Sequence, residues 1–129
     1  MALNILIVDD SETVRKVLVK MLGMTSLELG EIHQAGHGKE ALEVLGEHWL
    51  DLVLTDINMP VMTGEELIME MAKDHLLEGL PVVVVSTDGS MSRMNRLLET
   101  GIRGYLRKPF TPDSLEVAIR QALEVRNAG

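Results

Sequence analysis

Five polar residues stand where candidate strands break off. Asp9 and Asp10 follow Leu3 to Val8, Asp56 follows Leu50 to Thr55, Ser86 follows Val82 to Val85, and Lys108 follows Gly104 to Arg107. If those runs are strands of one parallel sheet, all five residues project at the same sheet edge although they are far apart in the chain. Three carboxylates in one place repel, and burying them unpaired raises at least one pKa, so the group needs a proton or a compensating positive charge. A bound cation supplies that charge. Carboxylate oxygens without Cys or a clustered His set favour a hard ion, and Mg²⁺, which combines carboxylates, waters and phosphate oxygens, fits best. Lys108 adds a fixed positive charge and Ser86 a hydroxyl donor, both able to hold oxygens of a phosphoryl group. Asp56 is then placed to act as a nucleophile, since a carboxylate can attack phosphorus to give an aspartyl phosphate once the developing charge is neutralised. Taken singly, each signal has a plainer meaning. An Asp-Asp pair is usually a solvated strand end, Lys108-Pro109 a strand terminator, and Ser86 a cap; the combination points to a site.

The elements that must position these side chains follow from hydrophobic spacing. Leu3 to Val8 is a run interrupted only by Asn4, which suits a strand covered on both faces. After Ser11, Val14, Val17, Leu18, Met21 and Leu22 mark one face of a first helix, with Gly23 as its stop. Glu31 to Ala35 is a short second strand, and Ala41, Leu42, Val44 and Leu45 mark a second helix. Leu50 to Thr55 is the third strand, ended by Asp56 and by Asn58-Met59-Pro60, with Gly64 opening a helix that carries Leu67, Ile68, Met71 and Ala72. Pro81 introduces the β-prone Val82 to Val85, and Asp88-Gly89 signals a turn. Met94, Leu97 and Leu98 lie on a fourth helix that stops near Gly101. Gly104 to Arg107 is a fifth strand, and Ser114 to Val125 a fifth helix. Five β-then-α units predict an α/β fold, a doubly wound parallel sheet with helices on both faces.

The chain has 129 residues, 46% of them hydrophobic and 25% charged, which is the balance of one soluble globular domain over residues 1–129 with no output domain. With one Phe, one Tyr and one Trp, its core must be aliphatic. A net charge of -8 opposes binding to nucleic acid or an anionic membrane. The lack of Cys excludes disulfides and thiol catalysis and fits a reducing compartment. No apolar run reaches the roughly 18 residues of a membrane span, and the N-terminus lacks signal-peptide features, so the cytoplasm is expected. His33, His37, His48 and His75 lack metal-ligand spacing and are assigned to the surface. Trp49 is assigned to packing, as are most of the nine Met residues.

Leu6-Ile7-Val8-Asp9-Asp10-Ser11, Asp56-Ile57-Asn58-Met59-Pro60, Val85-Ser86 and Lys108-Pro109-Phe110 resemble the motifs of a response-regulator receiver domain. The resemblance spans essentially the whole chain and is strongest to stand-alone chemotaxis-type receivers of the CheY kind. It implies the flavodoxin-like strand order 2-1-3-4-5 and a cis peptide at Lys108-Pro109. It makes Asp56 the phosphoacceptor, with Asp10 and Asp56 binding Mg²⁺ directly, Asp9 through water, and Asn58 through its backbone carbonyl. Ser86 and Lys108 contact the phosphoryl group. A sensor histidine kinase is the implied donor. The implied switch couples Ser86 to Tyr105: a hydroxyl drawn toward phosphate opens space that an aromatic ring can fill. Tyr105 reads equally well as a half-buried packing residue. Partners of similar proteins dock on the fourth helix, fifth strand and fifth helix, where Met94, Tyr105 and Arg107 are the candidates. Departures from the family pattern are Thr63 and His37, where acidic or amide residues are common, and Thr87, bulkier than the usual small residue. Asp88 could orient a water that hydrolyses the phosphate.

Competing classes differ in what they require. A metal-dependent phosphohydrolase with an Asp nucleophile typically shows Asp-x-Asp and a substrate cap, whereas Asp9 and Asp10 are adjacent and no cap-sized insertion is present. A flavodoxin-like cofactor carrier wants a Ser/Thr/Gly-rich phosphate loop where Asp9-Asp10-Ser11-Glu12 stands. A docking-only receiver would not need the intact acidic and Lys positions. The expectation is therefore a phosphorylation-dependent switch of a two-component system, with self-hydrolysis of its own aspartyl phosphate as its only chemistry.

Overall fold

The structure is a computed structural model that describes residues 2–74, 79–87 and 90–128, with side chains described through residue 124. His75, Asp88 and Gly89 lie outside the described residues. In chain order the elements are β1 (Leu3–Val8), α1 (Glu12–Gly23), β2 (Leu29–Ala35), α2 (Gly38–Glu47), β3 (Leu52–Thr55), α3 (Gly64–Lys73), β4 (Val82–Ser86), α4 (Met91–Glu99), β5 (Gly104–Arg107) and α5 (Pro112–Ala128). All strand pairings are parallel, in the order β2-β1-β3-β4-β5. The expected α/β architecture and strand order are both present.

Alternate residues of each central strand feed two separate cores, which is why the strands read as unbroken apolar runs. Ile5, Ile7, Leu52, Leu54, Val83 and Val85 pack against α1 and α5 through Leu18, Leu22, Leu115 and Ile119. Leu6, Val8, Val53, Val82 and Val84 face the other way, onto Ala41, Leu67, Ile68, Met71 and Leu97 of α2, α3 and α4. Both cores are overwhelmingly aliphatic, as the composition requires. Trp49 is the exception to expectation: it is 76% exposed and packs in neither core. Among the described residues, no helix is long and apolar enough to cross a membrane.

Two strand starts, those of β2 and β3, differ from the periodicity, and Asn4 hydrogen-bonds at both. The register between β1 and β2 shifts between Leu3 and Ile5. There the Asn4 side-chain oxygen accepts from the Glu31 amide at 2.8 Å, and Leu3 N donates to Glu28 O at 2.8 Å, so β2 pairs from Leu29 onward. Asn4 N also donates to the Asp51 carboxylate at 2.9 Å, while Asp51 N donates to Asn4 O. These bonds anchor Leu50 and Asp51 ahead of β3, whose ladder begins at Leu52.

The helices that flank the sheet's carboxyl edge are capped by side chains. Ser11 caps α1, and Thr63 with Glu66 closes a reciprocal capping box on α3. His37 caps α2, its Nδ1 accepting from the Glu40 amide at 3.2 Å. Thr63 and His37, which depart from the family pattern, are thus both helix caps whose side chains accept a hydrogen bond, the task Asp or Asn performs well.

Gly64 begins α3 where no side chain fits. A Cβ there would lie 2.1 Å from Asp56 O and 2.8 Å from Ile57 Cα. At Gly38 the obstruction is only the flexible Met62 side chain, at 2.6 Å. Gly64→Ala should therefore cost about 1–3 kcal/mol or more from overpacking, and Gly38→Ala less, with urea midpoints falling in that order at unchanged slope.

Candidate functional site

The backbone first brings the strand ends into line. Asp9 N donates to Ala35 O at 3.1 Å, Asp56 N to Val8 O at 2.9 Å, and Lys108 N to Ser86 O at 2.8 Å. The chain therefore leaves β1, β3 and β5 at one edge, carrying Asp9, Asp10, Asp56 and Lys108 with it. One oxygen from each of Asp9, Asp10 and Asp56 lies within 4.8 Å of the others. Lys108 Nζ reaches Asp9 Oδ2 at 3.2 Å and Asp56 Oδ2 at 3.8 Å.

The three acids sit in different surroundings. Asp9 is buried, and its second oxygen accepts from Ser11 N at 2.9 Å. Asp56 is half-buried, with Oδ1 accepting from Ile57 N at 2.8 Å. Asp10 is exposed. Burial pushes the Asp56 carboxyl above the ordinary Asp value; the Ile57 amide and Lys108 oppose that shift, and Asp9 and Asp10 add to it. One lysine against three carboxylates leaves a net negative pocket. At an effective dielectric of about 20, each pair at this spacing repels by roughly 3 kcal/mol, less for the solvent-screened Asp10. All-oxygen donors of this charge fit a hard divalent cation.

Ser86 closes β4 and is fully buried. Its register partner is Arg107, and Val84 pairs with Tyr105. Because residues two apart share a strand face, Ser86 and Tyr105 lie on the same side of the sheet, on neighbouring strands. Tyr105 is half-buried against the α2–α4 core, so it occupies the packing position that the sequence allowed for. Arg107 is exposed, whereas Met94 is partly buried. The exposed methionine of α4 is instead Met91, at 65%. Thr87 is exposed just past Ser86, and Asn58 is exposed in the loop two residues beyond Asp56. The Lys108-Pro109 peptide is cis.

Two contributors escaped sequence reasoning. Arg15 on α1 donates from Nη1 to Asp9 O at 2.6 Å and from Nε to Gln34 Oε1 at 3.1 Å, fixing the end of β1 against β2. Thr55 Oγ1, fully buried, donates to Asp56 O at 2.9 Å. Only the position of Arg15 one turn into α1 could have flagged it. Thr55 reads merely as a β-prone residue.

A family model described as the response regulator receiver domain matches residues 5–120. A CheY homolog of Campylobacter jejuni is 33% identical over 122 residues, covering 94% of this chain and 92% of that protein. The chemotaxis protein CheY of Pseudomonas aeruginosa is 34% identical over 122 residues, covering 95% and 97%. Among solved structures, the chemotaxis response regulator CheY4 of Vibrio cholerae superposes with a TM-score of 0.83 at 28% identity, covering 95% of this chain and 99% of that one.

The electrostatics make a signed prediction for the metal-free protein. A carboxyl whose native pKa is raised favours folding fully below its unfolded value of 3.8, and that contribution is lost as pH rises through the native value. Near pH 7 with chelator present, Asp56→Asn should therefore unfold at a higher temperature than the wild type, and the gap should close as pH falls below 3.8. Adding Mg²⁺ should raise the wild-type midpoint more than that of the variant. Differential scanning calorimetry across pH measures all three.

Proposed function

The chain belongs to the response regulator receiver domain family, a phosphorylation-dependent switch of two-component signalling, and from that premise we propose that Asp56 takes a phosphoryl group from a sensor histidine kinase. The observation that carries this is the placement of Lys108 Nζ between Asp9 and Asp56, beside a carboxylate destabilised by burial and by its neighbours. In the transfer, an Asp56 oxygen attacks phosphorus, a P–O bond forms, and the P–N bond to the donor imidazole breaks with its electron pair leaving on nitrogen. Lys108 holds a transferring oxygen through its ammonium. Mg²⁺ is the proposed ion; Asp9, Asp10, Asp56 and the Asn58 carbonyl would hold it, and it would supply positive charge to neutralise the phosphoryl oxygens.

The buried Ser86 hydroxyl turns toward the new phosphate, and Tyr105, on the same sheet face, moves into the space vacated. The output is the α4-β5-α5 face, where Met94, Tyr105 and Arg107 meet a downstream target or a phosphatase. Loss of the phosphoryl group is self-hydrolysis by water, with Thr87 restricting access and Asp88 orienting the attacking molecule. This chemistry on its own carboxylate is the only reaction proposed.

Incubation with Mg²⁺ and a small acyl or amido phosphate provides the test. Intact-mass measurement should show one phosphoryl adduct in the wild type, and none with chelator or in Asp56→Asn. Asp88→Ala should retain the adduct longer. An adduct that survives Asp56→Asn, or sustained turnover of many phosphate esters, contradicts the proposal.

A further inference from the structure

A second set of ligand-bearing side chains lies apart from the acidic pocket, on the edge strand of the sheet. Glu31 and His33 are two residues apart on β2 and so share a face. That face is the one α2 covers, because His33 pairs in register with Leu6, a member of the α2–α4 core. His48 is the residue on which α2 ends. Their sequence positions gave no metal-ligand spacing, and the histidines were expected to be unrelated surface residues. The fold instead brings one carboxylate oxygen and one nitrogen of each imidazole within 4.8 Å of one another. The two rings have centroids 4.0 Å apart at 32° to each other, and His33 Nε2 is 3.0 Å from Glu31 Oε1.

We propose that Glu31, His33 and His48 form a metal site for Zn²⁺, clamping the edge strand β2 to the C-terminal end of α2. The donor chemistry selects the ion. Two imidazoles with one carboxylate suit Zn²⁺ and its late first-row neighbours, whereas Mg²⁺ prefers an all-oxygen set such as the acidic pocket. Zinc bonds of about 2.0–2.2 Å in tetrahedral geometry place ligand atoms roughly 3.3 Å apart. The His33–Glu31 pair, hydrogen-bonded at 3.0 Å, is already close to that spacing. His33, 21% exposed, is the held member. Glu31, 70% exposed, and His48, also exposed, can swing onto the ion with little repacking. Three protein ligands leave the fourth corner to water. Trp49, adjacent to His48 and the single Trp of the chain, is an intrinsic reporter of occupancy.

The test uses the full chain carrying Asp10→Asn and Asp56→Asn, so that the acidic pocket is disabled, with Mg²⁺ in excess. Calorimetric titration should show one equivalent of Zn²⁺ bound. Adding His48→Ala or Glu31→Gln should weaken binding at least about tenfold, the scale on which even outer-shell changes act. Both positions are exposed, and circular dichroism without metal verifies that these variants fold. Zn²⁺ should raise the thermal midpoint of the parent but not of His48→Ala, and Ni²⁺ should quench Trp49 fluorescence in the parent alone. Absence of saturable Zn²⁺ binding, or an affinity unchanged by both substitutions, overturns the proposal.

Discussion

Crowding of negative charge at the carboxyl edge of the sheet is the constraint on which the rest of the molecule turns. Asp9, Asp10 and Asp56 are held close enough to oppose one another, and Lys108 answers only part of their charge. A protein selected for stability alone would separate or neutralise such a group. Here the net negative charge makes a pocket of oxygen donors that could bind a metal ion. Burial raises the cost of an ionised Asp56 and strengthens its response to any positive charge that arrives.

The scaffold maintains that crowding by tying down backbone as well as the Asp9 and Asp56 carboxylates, which accept from the Ser11 and Ile57 amides. Parallel ladders align the exits of β1, β3 and β5. Arg15 grips the Asp9 carbonyl and Thr55 grips that of Asp56. Gly64 lets the first turn of α3 lie directly against Asp56. Ser86, in contrast, is buried on the sheet face it shares with Tyr105. Tyr105 on β5 is half-buried, and Arg107, two residues further on and in register with Ser86, is exposed.

Much of this was legible in the sequence because each central strand is buried on both faces. A continuous apolar run ending in a polar residue announces both the strand and the side chain at its end, so β1 matched to the residue and Asp9, Asp10 and Asp56 emerged at strand ends; the partly buried edge strand β5 also matched, with Lys108 just beyond it. What was obscured depends on contacts between distant segments. Asn4 looked like a blemish in β1, yet its hydrogen bonds extend β2 to Leu29 and hold Asp51 outside β3. Trp49 looked like a core residue by type and is exposed. His33 and His48 looked unrelated until β2 and α2 placed their rings together. Residue type and spacing report local periodicity well, but they do not report what a strand edge and a helix end bring face to face.

The most direct measure of the central claim is a carbon-13 NMR titration of the aspartate carboxyls, with and without Mg²⁺. The charge-crowded pocket requires Asp56 to titrate above the ordinary Asp value in the metal-free protein and to move down when Mg²⁺ is added. An Asp56 that titrates at or below that value, with a midpoint indifferent to Mg²⁺, would contradict it.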